Sequence, residues 1–376
     1  MGHHAVSDAI VIGAGIIGAS CAHALALAGL SVRVVDAGLP AATAAGMGHL
    51  VSLDGNAAEL ALCSDSLTRW RALAPSLPAS GAYHRCGTLW LAENEDDLAT
   101  ADDKRAALAM AGIGSELINP TRLAALEPLL RPGLSGALRV ESDAILYAPR
   151  VADWLLESVG ITLERAQVAA LEDQKVYLAD GRRLGAQVIV LAAGLQAGAL
   201  LEGLPIAAKK GHLLITDRYP GRISHQLVEL GYGASAHSGQ GTSVAFNLQA
   251  RPTGQLLIGS TRQFDTLDPC VEPALLARML ERARGYLPAL GELNAIRAWT
   301  GFRAATPDGL PIIGRHPERE GLWLALGHEG LGVTTAPSTA ALIRAEVLGE
   351  HPPLDPLPYR FERFQASAPA AAEGRR

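Results

Sequence analysis

Gly13-Ala14-Gly15-Ile16-Ile17-Gly18 is the stretch on which the fold turns. It spells G-x-G-x-x-G, and its flanks give it a place. Ala9–Ile12 before it is a short continuous apolar run, the pattern of a fully buried strand. Ile16–Ala28 after it alternates small and apolar residues at helical spacing until Gly29 stops it. Ser31–Val35 is a second β-branched run, closed by Asp36. The pattern predicts a β–α–β unit that binds a dinucleotide. Gly13 permits the tight turn, Gly15 lets backbone approach a diphosphate, and Gly18 lets helix pack on strand. The N–H groups of Ala14, Ile16 and Ile17 lie at the helix start, where unpaired donors and the dipole favour an anion. Asp36, followed by Ala37, is placed to accept from ribose hydroxyls. A turn without ligand is the plain alternative, and the motif alone does not choose FAD over NAD.

The bulk composition narrows the classes. The chain has 376 residues, enough for two domains, and 49% are hydrophobic while 5% are aromatic. Net charge is −6 with no long basic run, which argues against nucleic acid as a partner. The pair Lys209–Lys210 reads most simply as a strand edge or turn. Cys21, Cys63, Cys86 and Cys270 form no CxxC pair and read as isolated buried thiols of a reducing compartment. The apolar stretch Ala9–Leu30 is interrupted by glycines and has no basic flank, so neither a signal peptide nor a transmembrane segment is expected, and a cytoplasmic protein is. The tail 366–376 is expected to be disordered.

Further along, Ala57–Leu73 and Glu95–Ala111 read as helices. Tyr83–Glu93, Leu134–Val140, Ile161–Asp173 and Lys175–Leu178 read as strands, with a hairpin turn at Asp180–Gly181. Gln187–Ala192 is another buried run. Gly211–Thr216, Ser243–Leu248 and Gln255–Gly259 are strands, and Pro273–Arg284 and Thr334–Leu348 are helices. A second glycine run, Gly231–Ala236, is read as loop. The order implies an α/β (α+β) fold: a discontinuous Rossmann-like domain from 1–80, 143–210 and 303–365, with a β-rich substrate domain from 81–142 and 211–302 inserted into it.

Four more segments join the glycine motif. They are A-A-T-A-A-G-M-G-H at Ala41–His49, V-L-A-A-G at Val190–Gly194, and W-T-G-F-R-A-A-T-P-D-G-L-P-I-I-G at Trp299–Gly314 followed by G-H-E-G-L-G-V-T-T at Gly327–Thr335. In this order the chain resembles the D-amino-acid oxidase-like FAD-dependent oxidoreductases, the glycine and sarcosine oxidase group, from about residue 8 to 349. Gly46–His49 and His328–Gly332 look most like the D-hydroxyproline dehydrogenase β-subunit type. The resemblance implies noncovalent FAD, since no cysteine occurs in Trp299–Thr306. It implies that Thr43, Ala45, Gly46, Met47 and His49 form a loop beside diphosphate and ring. Val168 would meet the adenine, and Ala193 and Gly194 would let the chain pass the cofactor. Gly327, Gly330, Leu331, Gly332, Val333 and Thr334 would lie under the pyrimidine, where a helix start stabilises the anion of the reduced ring.

The implied reaction is oxidation of the C–N bond of a small amino acid, D-hydroxyproline or proline-like, by hydride transfer to flavin N5, giving an imine. Arg303 is the candidate carboxylate clamp, with a surface or interface arginine as the alternative. His49 and His328 are candidates for proton transfer, against packing or cofactor contact. Phe246, standing where some relatives have a substrate-contacting tyrosine, and Glu329 complete the expected substrate residues; Glu329 could instead face a partner. The dehydrogenase reading implies electron-transfer subunits in a hetero-oligomer. An oxidase that releases H2O2 and a noncatalytic FAD-binding subunit are the alternatives.

Overall fold

Ala9–Ile12 lies between two parallel neighbours, Val32–Asp36 and Val188–Leu191, with Ala9 and Val11 turned to one face and Ile10 and Ile12 to the other. Both faces are buried, which is why these strands read as unbroken apolar runs rather than alternating ones. The computed structural model describes residues 7–52, 55–231, 241–264 and 266–365. Among these, a six-stranded sheet runs Ile312–Arg315, Leu322–Leu326, Val188–Leu191, Ala9–Ile12, Val32–Asp36, Leu163–Arg165. On one face pack the helices Ile16–Leu27, Ala57–Leu73, Ala148–Glu157 and Gly332–Leu348, through Leu25, Trp70, Leu155 and Ile343. On the other face lie Val168, Val176, Leu178 and Leu184 of a three-stranded antiparallel sheet. Its hairpin turns at Asp180–Gly181, where Gly181 takes φ +88°.

An eight-stranded sheet runs Ala295–Ala305, Ala207–Arg218, Gln255–Arg262, Ser243–Ala250, Gln226–Glu229, Thr88–Ala92, Gly136–Val140, Glu116–Ile118. Leu227, Leu248 and Ile258 pack against Met279, Ala283 and Tyr286 of the helix Pro273–Tyr286. The fold is the expected α/β arrangement with a second, β-rich sheet.

Several expectations need correction. The run Ile161–Asp173 is two strands in two sheets: Leu163–Arg165 closes the edge of the six-stranded sheet and Val168–Glu172 joins the small one. Lys209–Lys210 is neither edge nor turn. It lies inside Ala207–Arg218, opposite Arg303 and Phe302, and the fully buried Lys210 ammonium pairs with Glu272 at 2.9 Å. That partner is remote in sequence, so the two lysines alone look solvent-bound. The expected boundaries at 210/211 and 302/303 fall within the strands Ala207–Arg218 and Ala295–Ala305. Cys21 and Cys63 are buried thiols, but Cys86 is half-buried and Cys270 exposed; all four are free. The tail 366–376 and most of the run Gly231–Ala236 lie outside the described residues. Among the described residues, no helix is long and apolar enough to cross a membrane.

Candidate cofactor and substrate site

One cavity of about 450 Å³ runs from the C-terminal ends of the parallel strands to the face of the eight-stranded sheet. Asp36, Ala37 and Val168 line it at one end; Gly13, Gly15, Ile16, Ile17 and Thr43 follow. Ligands at the carboxyl ends of such strands are the rule for open α/β sheets.

The glycines behave as the motif requires. Gly13 has φ +105°, and a Cβ there would sit 2.5 Å from the Ala192 carbonyl oxygen. A Cβ on Gly18 would fall 1.9 Å from the Gly13 oxygen, so only glycine lets helix and turn close together. Gly15 is the N-cap of the helix Ile16–Leu27, without a side-chain cap of its own and without an acidic residue in the first turn. The Ile16 N–H donates to Thr43 Oγ1 at 3.0 Å. The helix start is thus free of anionic side chains and bordered by a hydroxyl, which fits a diphosphate. Asp36 accepts from the N–H of Ala14 at 2.7 Å and of Gly38 at 2.7 Å, and from Arg165 at 2.8 Å. It therefore locks the turn to the second strand and, of a carboxylate's roughly four acceptor positions, keeps one for a ribose hydroxyl.

The middle of the cavity is walled by Ala45, Gly46, Met47 and His49 on one side and by Ala193 and Gly194 on another. Gly48 takes φ +81°, with the Leu146 oxygen where a Cβ would be. Arg251 clamps this loop, donating to the carbonyls of Met47 at 3.0 Å and Leu146 at 3.3 Å. Gly327, Gly330, Gly332 and Val333 close the far wall at the start of the helix Gly332–Leu348. That helix has no acidic residue in its first turn, and Gly332 stands over Ile17, so the two helix starts converge. The combination of two uncapped helix starts, a glycine-rich turn and an acidic strand end fits FAD. Ala14, Gly18, Leu331 and Thr334 do not line the cavity. Ala14 binds Asp36, Gly18 packs, the Leu331 carbonyl accepts from the Thr335 N–H, and the buried Thr334 hydroxyl donates to the His49 carbonyl at 3.0 Å.

Arg303 lies at the sheet end of the cavity. Its guanidinium rests on Gly211, where a Cβ would come 2.6 Å from Nη1, and Nη1 donates to the Thr261 carbonyl at 3.2 Å. Glu329, in a left-handed conformation at φ +46°, also lines the cavity and pairs with Lys209 at 3.1 Å. His328 and His49 both line it. Burial pushes His328 down to about 3, and its Nε2 contacts Thr339 Oγ1 at 2.9 Å. Burial, with a smaller push from the Arg251 charge, lowers His49 to about 4, against the raising effect of its bond to Gln226.

Phe246 is not a substrate contact. It is fully buried on the opposite face of its strand, stacked on Tyr286 with centroids 4.6 Å apart. Asn247, one residue on, lines the cavity instead. Gly211, Leu213, Ser260 and Thr300 are further lining residues that the motifs did not point to. The signal for Asn247 was present: Val244, Phe246 and Leu248 are apolar while Asn247 and Gln249 are polar, so period-two alternation assigns the polar pair to the other face. Arg262 is buried, only 5% exposed.

The model of the family described as FAD dependent oxidoreductase, DAO, matches residues 8–346. The chain is 27% identical to glycine oxidase of Pseudomonas aeruginosa, over 93% of this chain and 97% of that protein. It is 26% identical to hydrogen cyanide synthase subunit HcnC of the same organism, over 97% and 98%. The solved structure of L-proline dehydrogenase from P. horikoshii has the same fold, with a TM-score of 0.84 and 23% identity over 96% of this chain and 98% of that one.

Proposed function

Since this chain belongs to the DAO family of FAD-dependent oxidoreductases, we propose that it oxidises the C–N bond of a small amino acid held by its carboxylate on Arg303. The observation that carries this reading is the seat of Arg303. A guanidinium lies flat over a glycine, at the end of the cofactor cavity remote from Asp36, on a strand that faces that cavity. A planar fork of donors matches a carboxylate with two parallel bonds. Bound FAD supplies the two-electron acceptor. The chain's own part is positioning: Arg303 fixes the carboxylate, and Leu213 and Met47 pack together as an apolar flank. The ion pair Glu329–Lys209 satisfies two further charges in the same part of the cavity.

Arg303→Ala tests the assignment. Losing one bidentate, partly buried charge contact costs roughly 2–5 kcal/mol. KM for carboxylate substrates is expected to rise by about 30-fold or more, with FAD retained. An unchanged KM removes Arg303 from the site.

The finer reading is a dehydrogenase for a D-hydroxyproline or proline-like substrate, passing electrons to partner subunits. It is supported by the Gly46–His49 and His328–Gly332 sequences, and HcnC is by its name a subunit. The similarity to glycine oxidase favours a second reading, an oxidase that reduces O2. Turnover only with a dye acceptor supports the first; stoichiometric H2O2 supports the second.

A further inference from the structure

Of the two histidines lining the cavity among the described residues, His49 is the one whose ring contacts side chains of the sheet that carries Arg303. Its Nδ1 contacts Gln226 Oε1, with Gln249 Nε2 at 3.2 Å. His328, by contrast, is tied to Thr339 in the helix Gly332–Leu348. The two bonds of Gln226 beyond His49 set its orientation. Its Nε2 donates to the Ala144 carbonyl at 3.1 Å and lies 3.2 Å from Thr88 Oγ1. A carbonyl only accepts, so the amide nitrogen must face Ala144 and the amide oxygen must face His49. An oxygen without a hydrogen requires a proton on Nδ1. The amide of Gln249 is fixed too, because its Oε1 accepts from Arg251 at 2.8 Å. Gln249 therefore presents its NH2 to Nδ1, a donor that on its own would favour a bare Nδ1, and the closer Gln226 oxygen outweighs it. In a neutral imidazole with Nδ1–H, the other nitrogen carries a lone pair. Among the described residues Nε2 has no hydrogen-bond partner, and the ring lines the cavity.

We propose that His49 Nε2, held as a bare acceptor by Gln226, receives the N–H of the substrate's amino group and so orients the nitrogen lone pair for oxidation. This rests on the amino-acid reading above. Gln226 is then a positioning residue. The depressed basicity of the ring suits an acceptor that stays neutral, since a cationic imidazolium would have a hydrogen where the amine must donate. Chemistry strengthens the contact. The Cα–H bond breaks, its hydrogen leaving as a hydride for the two-electron acceptor that bound FAD would supply, while the nitrogen lone pair closes the C=N bond. The nitrogen turns from neutral amine to iminium cation, and its N–H becomes a stronger donor to Nε2. The bond is tighter at the transition state than in the bound substrate, which is the condition for accelerating the step. Water then adds to the iminium carbon, and the C–N bond breaks to give the oxo acid and an ammonium group.

Two readouts on the holoenzyme test this. By ¹⁵N-detected NMR of histidine rings, His49 is expected in the Nδ1–H form in the parent protein and to lose that preference in Gln226→Leu. In anaerobic stopped-flow reduction, an amino acid that bleaches the parent flavin is expected to do so roughly 10–100-fold more slowly in His49→Phe, the worth of one hydrogen bond to a charged group. Acetate and tetrahydro-2-furoate, carboxylates that lack the amine, should bind the parent and His49→Phe alike, as read by flavin absorbance. An Nε2–H ring in the parent protein, or an unchanged reduction rate in His49→Phe with FAD bound, overturns the proposal. If instead no amino acid bleaches even the parent flavin, the amino-acid reading itself has failed, while the NMR result still stands.

Discussion

Gly211 and Arg303 act as a unit. They face the same side of two paired strands, and the guanidinium occupies the space a side chain at 211 would need. Gly211→Ala puts a methyl about 2.6 Å from Nη1, closer than real contacts allow, so Arg303 must lift away. The variant is expected to behave as a partial loss of the clamp: KM for carboxylate substrates up about tenfold, within the range of 1–3 kcal/mol for overpacking, with FAD content unchanged. Steady-state kinetics beside flavin absorbance checks it. Equal KM in both proteins would mean that the arginine does not need this seat. At this scale the sequence was legible where backbone geometry decides, as at Gly13, Gly15 and Gly18. Where a side chain's face decides, the likeness to relatives pointed to Phe246 while the period-two alternation pointed to Asn247. Phe246 and Asn247 are adjacent, and only strand parity separates core from cavity. Gln226 and Gln249 carried no motif at all; nothing links either to His49 except contact across the fold, 177 and 200 residues apart in sequence.

The first strand, turn and helix form the Asp36 end of the cavity, and their fit leaves no slack. A Cβ on Gly18 meets the Gly13 oxygen at 1.9 Å, backbone that cannot swing aside as a flexible side chain can. Gly18→Val must push the helix Ile16–Leu27 off the strand Ala9–Ile12. The expected result is apoprotein with a melting temperature lowered by several degrees, following from at least 1–3 kcal/mol of strain. A variant that retains stoichiometric FAD and parent stability would refute the packing role. Elements with a continuous apolar run or a clear cap were readable. Ala57–Leu73 begins after Asn56, whose side chain accepts from the Glu59 N–H at 2.9 Å, and ends as expected. The break within Ile161–Asp173 was not readable. Both pieces are extended, and the change of sheet between them is made by which neighbour each strand finds.

For the whole molecule, burial of neutral histidines couples stability to pH. His328 titrates near 3 when folded and near 6.5 in an ordinary environment. The unfolded chain therefore takes up a proton that the folded state refuses. Its contribution is complete above pH 6.5 and is lost as pH falls toward 3, at about 1.4 kcal/mol per unit. His49 adds to the same loss as pH falls toward 4. His328→Gln keeps a donor for Thr339 and removes the titration. Its urea-unfolding free energy is expected to fall less than the parent's between pH 7 and pH 5; identical slopes would contradict the linkage. The order of segments along the chain made the two-sheet architecture visible, because the strands of the dinucleotide sheet return after each β-rich excursion. The cavity between the sheets was not visible in the same way, since Asn247, Ser260 and Thr300 enter it only through the pairing of distant strands.

Everything rests on a flavin lying in the cavity between Gly13 and Gly332 with an amino acid beside it on Arg303. The direct measurement is an anaerobic titration of the FAD-loaded protein with glycine, sarcosine, D- and L-proline and both hydroxyproline epimers, following the flavin absorbance. Bleaching of the oxidised band by at least one of them, abolished at the same concentration in Arg303→Ala, is the predicted result. A protein that takes up no FAD, or a flavin that stays yellow with every one of these amino acids, would contradict it.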